Sequence, residues 1–350
     1  MRSRINPRFD ISHCTDERKI RATRIRSNSA EAGRPYDSSG AKVTNSQQPP
    51  TVSAEFPYEK KRLQVVGHDM AYVELGQGDP IVLLHGNPSS SYLWRNVLPY
   101  LQPLGRCIAP DLIGMGDSDK LPNSGPESYR FVEHRRYLDA LLEELGVRER
   151  VTLVVHDWGA GLGFDWASRH REAVRGIAYM EAIVQPRGWN DWPKPTRGLL
   201  QTLRSPAGEA MALEGDLFEQ VLTSGVLRQL REEELAEYRG PFAVPGEDRR
   251  PTLSWARSNP LDGEPADVTE IVNSYCEWLS HSSVPKLFVN GDPGAGLTGS
   301  LRDFCRTWSA QREVTVRGLH FLQEDSSHEI GRAIADWLAS MDADGSVKER

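Results

Sequence analysis

The chain has 350 residues, 38% hydrophobic and 26% charged, with a formal net charge of −7; this fits one large water-soluble domain, or a core carrying a substantial insertion. No apolar run approaches the ~20 residues that a membrane-spanning helix needs, and the negative balance speaks against a nucleic-acid partner. Cys14, Cys107, Cys276 and Cys305 are scattered without metal-ligand spacing, which points to free thiols in a reducing, cytoplasmic compartment and to no metal site.

Residues 1–55 are rich in Arg, Ser, Asn and Pro and hold almost no aliphatic clusters. Such a segment buries too little apolar surface to offset its ordering entropy, so a disordered N-terminal extension is expected. Its arginines suit a transit peptide, but Asp10, Asp16 and Glu17 break the acid-poor pattern of such peptides. A plain tail, or a start codon placed too early, fits better.

From residue 61 the pattern changes. Two short β-prone runs, 62–66 and 70–74, are split by Gly67-His68-Asp69 and read as a hairpin. Pro80-Ile81-Val82-Leu83-Leu84 is a continuous apolar run, the kind buried on both faces of a parallel sheet, and it stops at His85-Gly86-Asn87-Pro88. A helix is predicted over 90–100 and a strand over 107–109, which leads into the loop Asp111-Leu112-Ile113-Gly114-Met115-Gly116. Over 133–145 Tyr137, Leu138, Leu141, Leu142 and Leu145 form one amphipathic helical face.

The strongest local signal follows. Val151-Thr152-Leu153-Val154-Val155 is an uninterrupted β-prone run that passes straight into His156-Asp157-Trp158-Gly159-Ala160-Gly161 and then a helix. Strand, tight small-residue turn and helix make the layout of a nucleophile elbow. A further strand, 174–180, ends at Glu181. Alternating strands and helices predict a doubly wound, mostly parallel sheet. The alternation lapses from about 186 to 283, a charged, helix-prone stretch read as a cap inserted after the sixth strand. It resumes with strands at 286–290 and 313–316, then Gly318-Leu319-His320 and a closing helix over 324–341. The expected organisation is therefore core over 56–185, helical cap over 186–283, core again over 284–342 and a tail over 343–350.

A serine usually stands at the tip of such an elbow; here it is Asp157. A carboxylate in that place attacks carbon directly and forms an ester, needing no base for its own deprotonation. A base is needed afterwards to activate the water that cleaves the ester. His320, after the last strand, occupies the base's position in such folds, and an acid must orient it. An aspartate at a helix start is often only an N-cap. Its place after a buried strand and upstream of a suitable histidine favours chemistry.

Over residues 56–338 the chain resembles the haloalkane dehalogenases, members of the α/β-hydrolase fold, and among them the branch whose acid is a glutamate after the sixth strand. The matching stretches are His85-Gly86-Asn87-Pro88, Asp111-Leu112-Ile113-Gly114-Met115-Gly116, His156-Asp157-Trp158-Gly159, Tyr179-Met180-Glu181-Ala182, Arg250-Pro251-Thr252-Leu253-Ser254-Trp255 and His320-Phe321-Leu322-Gln323-Glu324-Asp325. The resemblance implies Asp157 as nucleophile, His320 as base, Glu181 as orienting acid and Asn87 with Trp158 as halide-binding residues. It implies a small halogenated substrate, a released halide ion, no cofactor, and a monomer or weak homo-oligomer. Donors suit a leaving halide: the Trp158 indole N–H is donor only, and the Asn87 amide offers two donors. The backbone N–H groups of Asn87 and Trp158 are expected to serve as an oxyanion hole.

Asp292, in Gly291-Asp292-Pro293-Gly294, follows the strand after the cap and is the alternative acid. His134, His170 and His281 fall in charged, helix-like stretches and are expected to be solvated. Ala256, where relatives often have proline, and Thr223-Ser224-Gly225, where they are often bulkier, are expected to widen or loosen the tunnel mouth. The same motifs resemble coelenterazine luciferases of the Renilla type, an alternative activity on this scaffold. Epoxide hydrolases share the elbow but place a large apolar residue where Asn87 stands. A non-catalytic binding module is the third alternative.

Overall fold

The computed structural model describes residues 51–348; what was expected of residues 1–50, Cys14 included, lies outside the described residues. Over 51–55 the expected tail is instead docked. The Ser53 carbonyl accepts from Arg95 Nε at 2.7 Å and from Asn96 Nδ2 at 2.9 Å, and the Ala54 carbonyl accepts from the Tyr92 hydroxyl at 2.6 Å. Composition missed this because backbone carbonyls, which every residue carries, make the contact.

Eight strands form one sheet in the order β1-β2-β4-β3-β5-β6-β7-β8. They are β1 (Lys60–Val65), β2 (His68–Leu75), β3 (Pro80–Leu84), β4 (Arg106–Pro110), β5 (Val151–His156), β6 (Val174–Met180), β7 (Lys286–Pro293) and β8 (Gln311–Gly318). β1 and β2 are the predicted hairpin, and β2 meets β4 antiparallel. Every neighbouring pair from β4 onward is parallel.

The uninterrupted apolar runs follow from burial on both faces. All of β5 is buried. Successive side chains of a strand point to opposite faces, so Leu153 and Val155 join Leu84, Tyr179 and Phe288 on one side. Val154 joins Leu83, Ala178, Met180 and Val289 on the other. A polar residue would be buried on either face, so the strand carries no alternation.

Helices flank the sheet. The helix Phe131–Glu144 buries Tyr137, Leu138, Leu141 and Leu142, the predicted face. The helix expected over 90–100 is split into a 3₁₀ turn, Ser91–Trp94, and a short helix, Leu98–Leu101. Pro99 explains the break, since it lacks the N–H that a continuous helix would use there and is tolerated only in a first turn. The closing helix spans Leu322–Lys348, with non-helical dihedrals at Ser326.

Between β6 and β7 the chain is helical: Lys194–Leu203, Leu217–Ser224, Glu232–Arg239, Arg250–Arg257 and Ala266–His281. Part of this region has a small core of its own, Leu203, Ala212, Leu217 and Leu253, against which Ala256 packs. Ala256 is therefore half-buried on the side of that cluster, and Thr223 and Ser224 are exposed. Among the described residues no helix is long and apolar enough to cross a membrane.

The helix Asp157–Arg169 lies unusually close to the end of β3. A Cβ at Gly159 would stand 2.3 Å from the Leu84 carbonyl oxygen and 2.4 Å from that of His85. Ala is favoured over Gly in a helix by up to ~1 kcal/mol, but overpacking against fixed backbone costs ~1–3 kcal/mol, so the clash wins. Gly159→Ala is expected to lower the denaturant midpoint; an unchanged or higher midpoint would show that the helix can move away from β3.

Candidate active site

Asp157, Trp158, His320, Glu181 and Asn87 converge at the carboxyl ends of the parallel strands, where doubly wound sheets bind their ligands. β5 ends at His156 and the chain turns at Asp157, whose φ of 51° is left-handed. That conformation is costly for a non-glycine residue and marks sites whose surroundings enforce it. Here the enforcement is spatial: a Cβ at Gly86 would fall 2.2 Å from Asp157 Oδ1. Without side chains at Gly86 and Gly159, the carboxylate can sit against the β3 loop. Asp157 Oδ1 accepts the Asn87 backbone N–H at 2.8 Å, and the Trp158 backbone N–H also favours the ionised form.

His320 lies just beyond β8. Its Nε2 is 3.5 Å from Asp157 Oδ2 and its Nδ1 is 3.3 Å from Glu181 Oε2. One imidazole thus stands between two carboxylates. Glu181, directly after β6, also has positive φ, 44°, and is 2% exposed. Its carboxylate is cradled by backbone N–H groups: Gly296 at 2.5 Å, Ala295 at 3.3 Å and Leu297 at 3.4 Å. Glycine is required in that cradle, since Gly294 has φ +74° and a Cβ at Gly296 would lie 3.1 Å from Glu181 Oε2.

Asp292 is at the exposed end of β7. The Gly291-Asp292-Pro293-Gly294 turn serves the site through the backbone that follows it, and Glu181 is the acid that reaches His320.

Asn87 Nδ2 donates to the Thr252 carbonyl at 3.1 Å, tying the β3 loop to the helix Arg250–Arg257. The second amide hydrogen remains for another acceptor. The Trp158 indole stacks on Trp255 with centroids 4.8 Å apart. Trp255 stacks in turn on His134 at 4.1 Å. This corrects the reading of His134 as solvated: it is 1% exposed, and burial pushes its pKa down to about 3, leaving a neutral aromatic plate. The charged neighbours Glu133, Arg135 and Arg136 misled, because they occupy the other faces of the same helix. His170 and His281 are exposed as expected.

His85 supports the turn from beneath. Its Nε2 accepts the Leu112 N–H at 3.0 Å and its Nδ1 lies 2.9 Å from the Gly86 carbonyl. Burial lowers its pKa, so a neutral ring with the proton on Nδ1 satisfies both contacts. Asp111 organises the same region, accepting from the Ser91 N–H at 2.7 Å, Lys60 Nζ at 2.7 Å and the Asp117 N–H at 2.9 Å. His156 is buried, with Nε2 2.8 Å from the His320 carbonyl oxygen. Burial first, then the nearby His320, brings its pKa down to about 4. Sequence reading missed the partners of Asn87 and Glu181 because the atoms involved are backbone groups. Among the described residues no group of three or more His, Cys, Asp or Glu side chains is placed to hold a metal ion.

The alpha/beta hydrolase fold family matches residues 79–327. The haloalkane dehalogenase of Sphingobium indicum is 60% identical over 281 residues, which are 80% of this chain and 95% of that protein. That of Mycolicibacterium smegmatis is 53% identical over 291 residues, 82% of this chain and 93% of the relative. Among solved structures, the haloalkane dehalogenase DbeA from Bradyrhizobium elkani superposes with a TM-score of 0.77 at 43% identity, covering 81% of this chain and 99% of that one. The chain belongs to the haloalkane dehalogenases, within the α/β-hydrolase fold.

The electrostatics of the site can be tested directly. Burial lowers the pKa of His320, but hydrogen bonds and charge from Asp157 and Glu181 outweigh it and push the value up to about 10. A folded-state pKa above the ordinary 6.5 means that the stability gained is fully present below pH 6.5 and is lost as pH rises through about 10. Asp157→Asn removes one of the two charges, so the imidazole pKa is expected to fall well below that of the unaltered chain. An NMR titration of the ring measures this; no change would mean that Glu181 alone sets the value.

Proposed function

We propose that the chain hydrolyses carbon–halogen bonds of halogenated alkanes through a covalent ester on Asp157. The observation that carries this reading is the position of His320: it faces Asp157 Oδ2, while Oδ1 is held by the Asn87 backbone N–H. A carboxylate so placed is an ionised nucleophile with a base beside it that its own attack does not require.

In the first step an Asp157 oxygen attacks the carbon bearing the halogen. The new C–O bond forms as the C–X electron pair departs with the halide. The Trp158 indole N–H and the free Asn87 amide hydrogen stabilise the leaving anion, and donors aimed at developing charge are usually the largest catalytic contribution. The stacks on Trp255 and His134 fix the indole plane.

In the second step water attacks the ester carbonyl and gives its proton to His320. The charge on Asp157 sets the timing. Before the first step the Asp157 carboxylate favours protonated imidazole. Once Asp157 is an ester, that negative charge is gone, the imidazolium sheds its proton to solvent, and the neutral ring is able to accept the proton of the attacking water. Glu181 then steadies the imidazolium that forms. The backbone N–H groups of Asn87 and Trp158 bind the oxyanion, and collapse releases a primary alcohol and restores the carboxylate. The overall products are alcohol, halide and a proton.

The helical region over 186–283 serves, in this reading, as a cap over the strand ends, with Asn87–Thr252 as one of its attachments. The substrates are short to medium halogenated alkanes, bromides reacting faster than chlorides because the weaker bond breaks in the first step. A cytoplasmic monomer or weak homo-oligomer suits this role.

The test is halide release from a panel of bromo- and chloroalkanes, together with His320→Phe. That variant should release about one halide per site and stop. Its intact mass should rise by the alkyl group, mapped to Asp157, whereas Asp157→Ala should show neither burst nor adduct. A folded His320→Phe protein that forms no adduct with any bromoalkane would overturn the carboxylate mechanism, and a panel without halide release would overturn the activity.

A further inference from the structure

The loop that carries His320 is fastened to the helical region by a set of contacts on both sides of the histidine. The backbone N–H groups of His320 and Phe321 donate to one acceptor, the Gly225 carbonyl, each at 2.9 Å. Gly225 is buried, and a Cβ there would meet Phe321 Cδ2 at 2.7 Å; only a residue without a side chain brings that carbonyl so close. Four residues after Phe321, the Asp325 carboxylate accepts the Leu227 N–H at 3.0 Å and the Arg228 N–H at 3.0 Å. The same carboxylate is 3.4 Å from the N–H of Leu319, the residue before His320. Arg228 returns the contact, donating from Nε to the Glu324 carbonyl at 2.5 Å.

We infer that the segment Gly225-Val226-Leu227-Arg228 and the Asp325 carboxylate form a clasp that positions His320, with Asp325 a positioning residue for ester hydrolysis. The inference rests on the reading of His320 as the base. Asp157 is set by the end of β5 and by N–H donors from Asn87 and Trp158, none of which passes through the clasp. Glu181 is set by the Ala295–Leu297 backbone. The loop 319–321, in contrast, gives its backbone N–H groups to the Gly225 carbonyl and to Asp325, while on the core side His156 Nε2 meets the His320 carbonyl. Loosening the clasp therefore displaces the base and leaves the nucleophile and halide donors in place. It also accounts for the glycine at 225: this position is occupied by a backbone acceptor for the base loop, beneath the exposed Thr223 and Ser224.

A purely structural role for Asp325, such as an acid in the first turn of the helix Leu322–Lys348, affects stability and leaves the ratio of the two chemical steps unchanged. The full chain carrying Asp325→Asn separates these roles. The amide is isosteric but loses one acceptor oxygen and the charge. With 1-bromobutane under rapid quench, the variant is expected to release its first halide within about twofold of the unaltered rate, while decay of the butyl ester slows about tenfold or more. Intact-protein mass should show the ester accumulating beyond its level in the unaltered chain. Gly225→Ala acts from the other side of the clasp and should give the same signature. The proposal is overturned if Asp325→Asn slows both steps equally, or if its ester decays at the unaltered rate, whatever its melting temperature. His320→Phe run beside it keeps the two ideas apart: no adduct there refutes the base assignment, whereas a stable adduct there with normal ester decay in Asp325→Asn refutes the clasp alone.

Discussion

The constraint on which this structure depends is the burial of two carboxylates around one imidazole. An ionised carboxylate removed from water is expensive unless its charge is met by donors or an opposite charge. Asp157 and Glu181 are 8% and 2% exposed, and each is compensated chiefly by backbone N–H groups and by the ring they share. Backbone donors are suited to this work because they are fixed by the fold and cost little reorganisation when charge moves. The demand then propagates outward. The β3 loop must approach the elbow, so Gly86 and Gly159 carry no side chains. The turn after β7 must curl around Glu181, so Gly294 and Gly296 stand there.

The sequence was legible wherever a requirement falls on side chains. The buried runs of β3, β5 and β6 show themselves by uninterrupted apolar residues, because each face of the sheet is covered. The elbow shows itself by a carboxylate between a strand and a run of small residues. It was illegible wherever the requirement falls on backbone or on three-dimensional neighbours. Asp292 was a sensible candidate acid by chain position, yet the useful feature of its turn is the row of N–H groups after it. His134 looked solvated because its sequence neighbours are charged, but it sits one helical face away from them, stacked on Trp255. The docking of residues 51–55 was invisible for the same reason: carbonyls of Ser53 and Ala54 make it.

A second buried charge cluster lies apart from the site and ties the helical region to the core. Arg95, 2% exposed, forms a two-pronged pair with Glu324 at 2.6 and 2.8 Å and reaches Glu234 at 3.1 Å. Arg228 bridges the same two acids, and the Tyr238 hydroxyl donates to Glu324. Such networks add little net stability compared with apolar packing, but breaking one leaves an uncompensated buried charge. Their value here is geometric. Glu324 belongs to the closing helix of the core and Glu234 to the helical region, so the arginines between them fix one orientation of the two.

That fixed orientation bears on the chemistry through chain continuity. Glu324 and Asp325 are adjacent, and so are Leu227 and Arg228; one pair belongs to the helix that starts just after His320, the other to the helical region between β6 and β7. Contacts that tie the helical region to the core are therefore also contacts that hold the loop of the histidine. On the proposed mechanism, substrate enclosure and base placement therefore share one set of hydrogen bonds, whereas the Asp157 carboxylate is set by the end of β5 and the β3 loop. Ala256, packed against the small core of the helical region, belongs to none of these contacts. Gly225, whose carbonyl accepts from the His320 and Phe321 N–H groups, is where that proposed mechanism ties its water-activating step to the helical region.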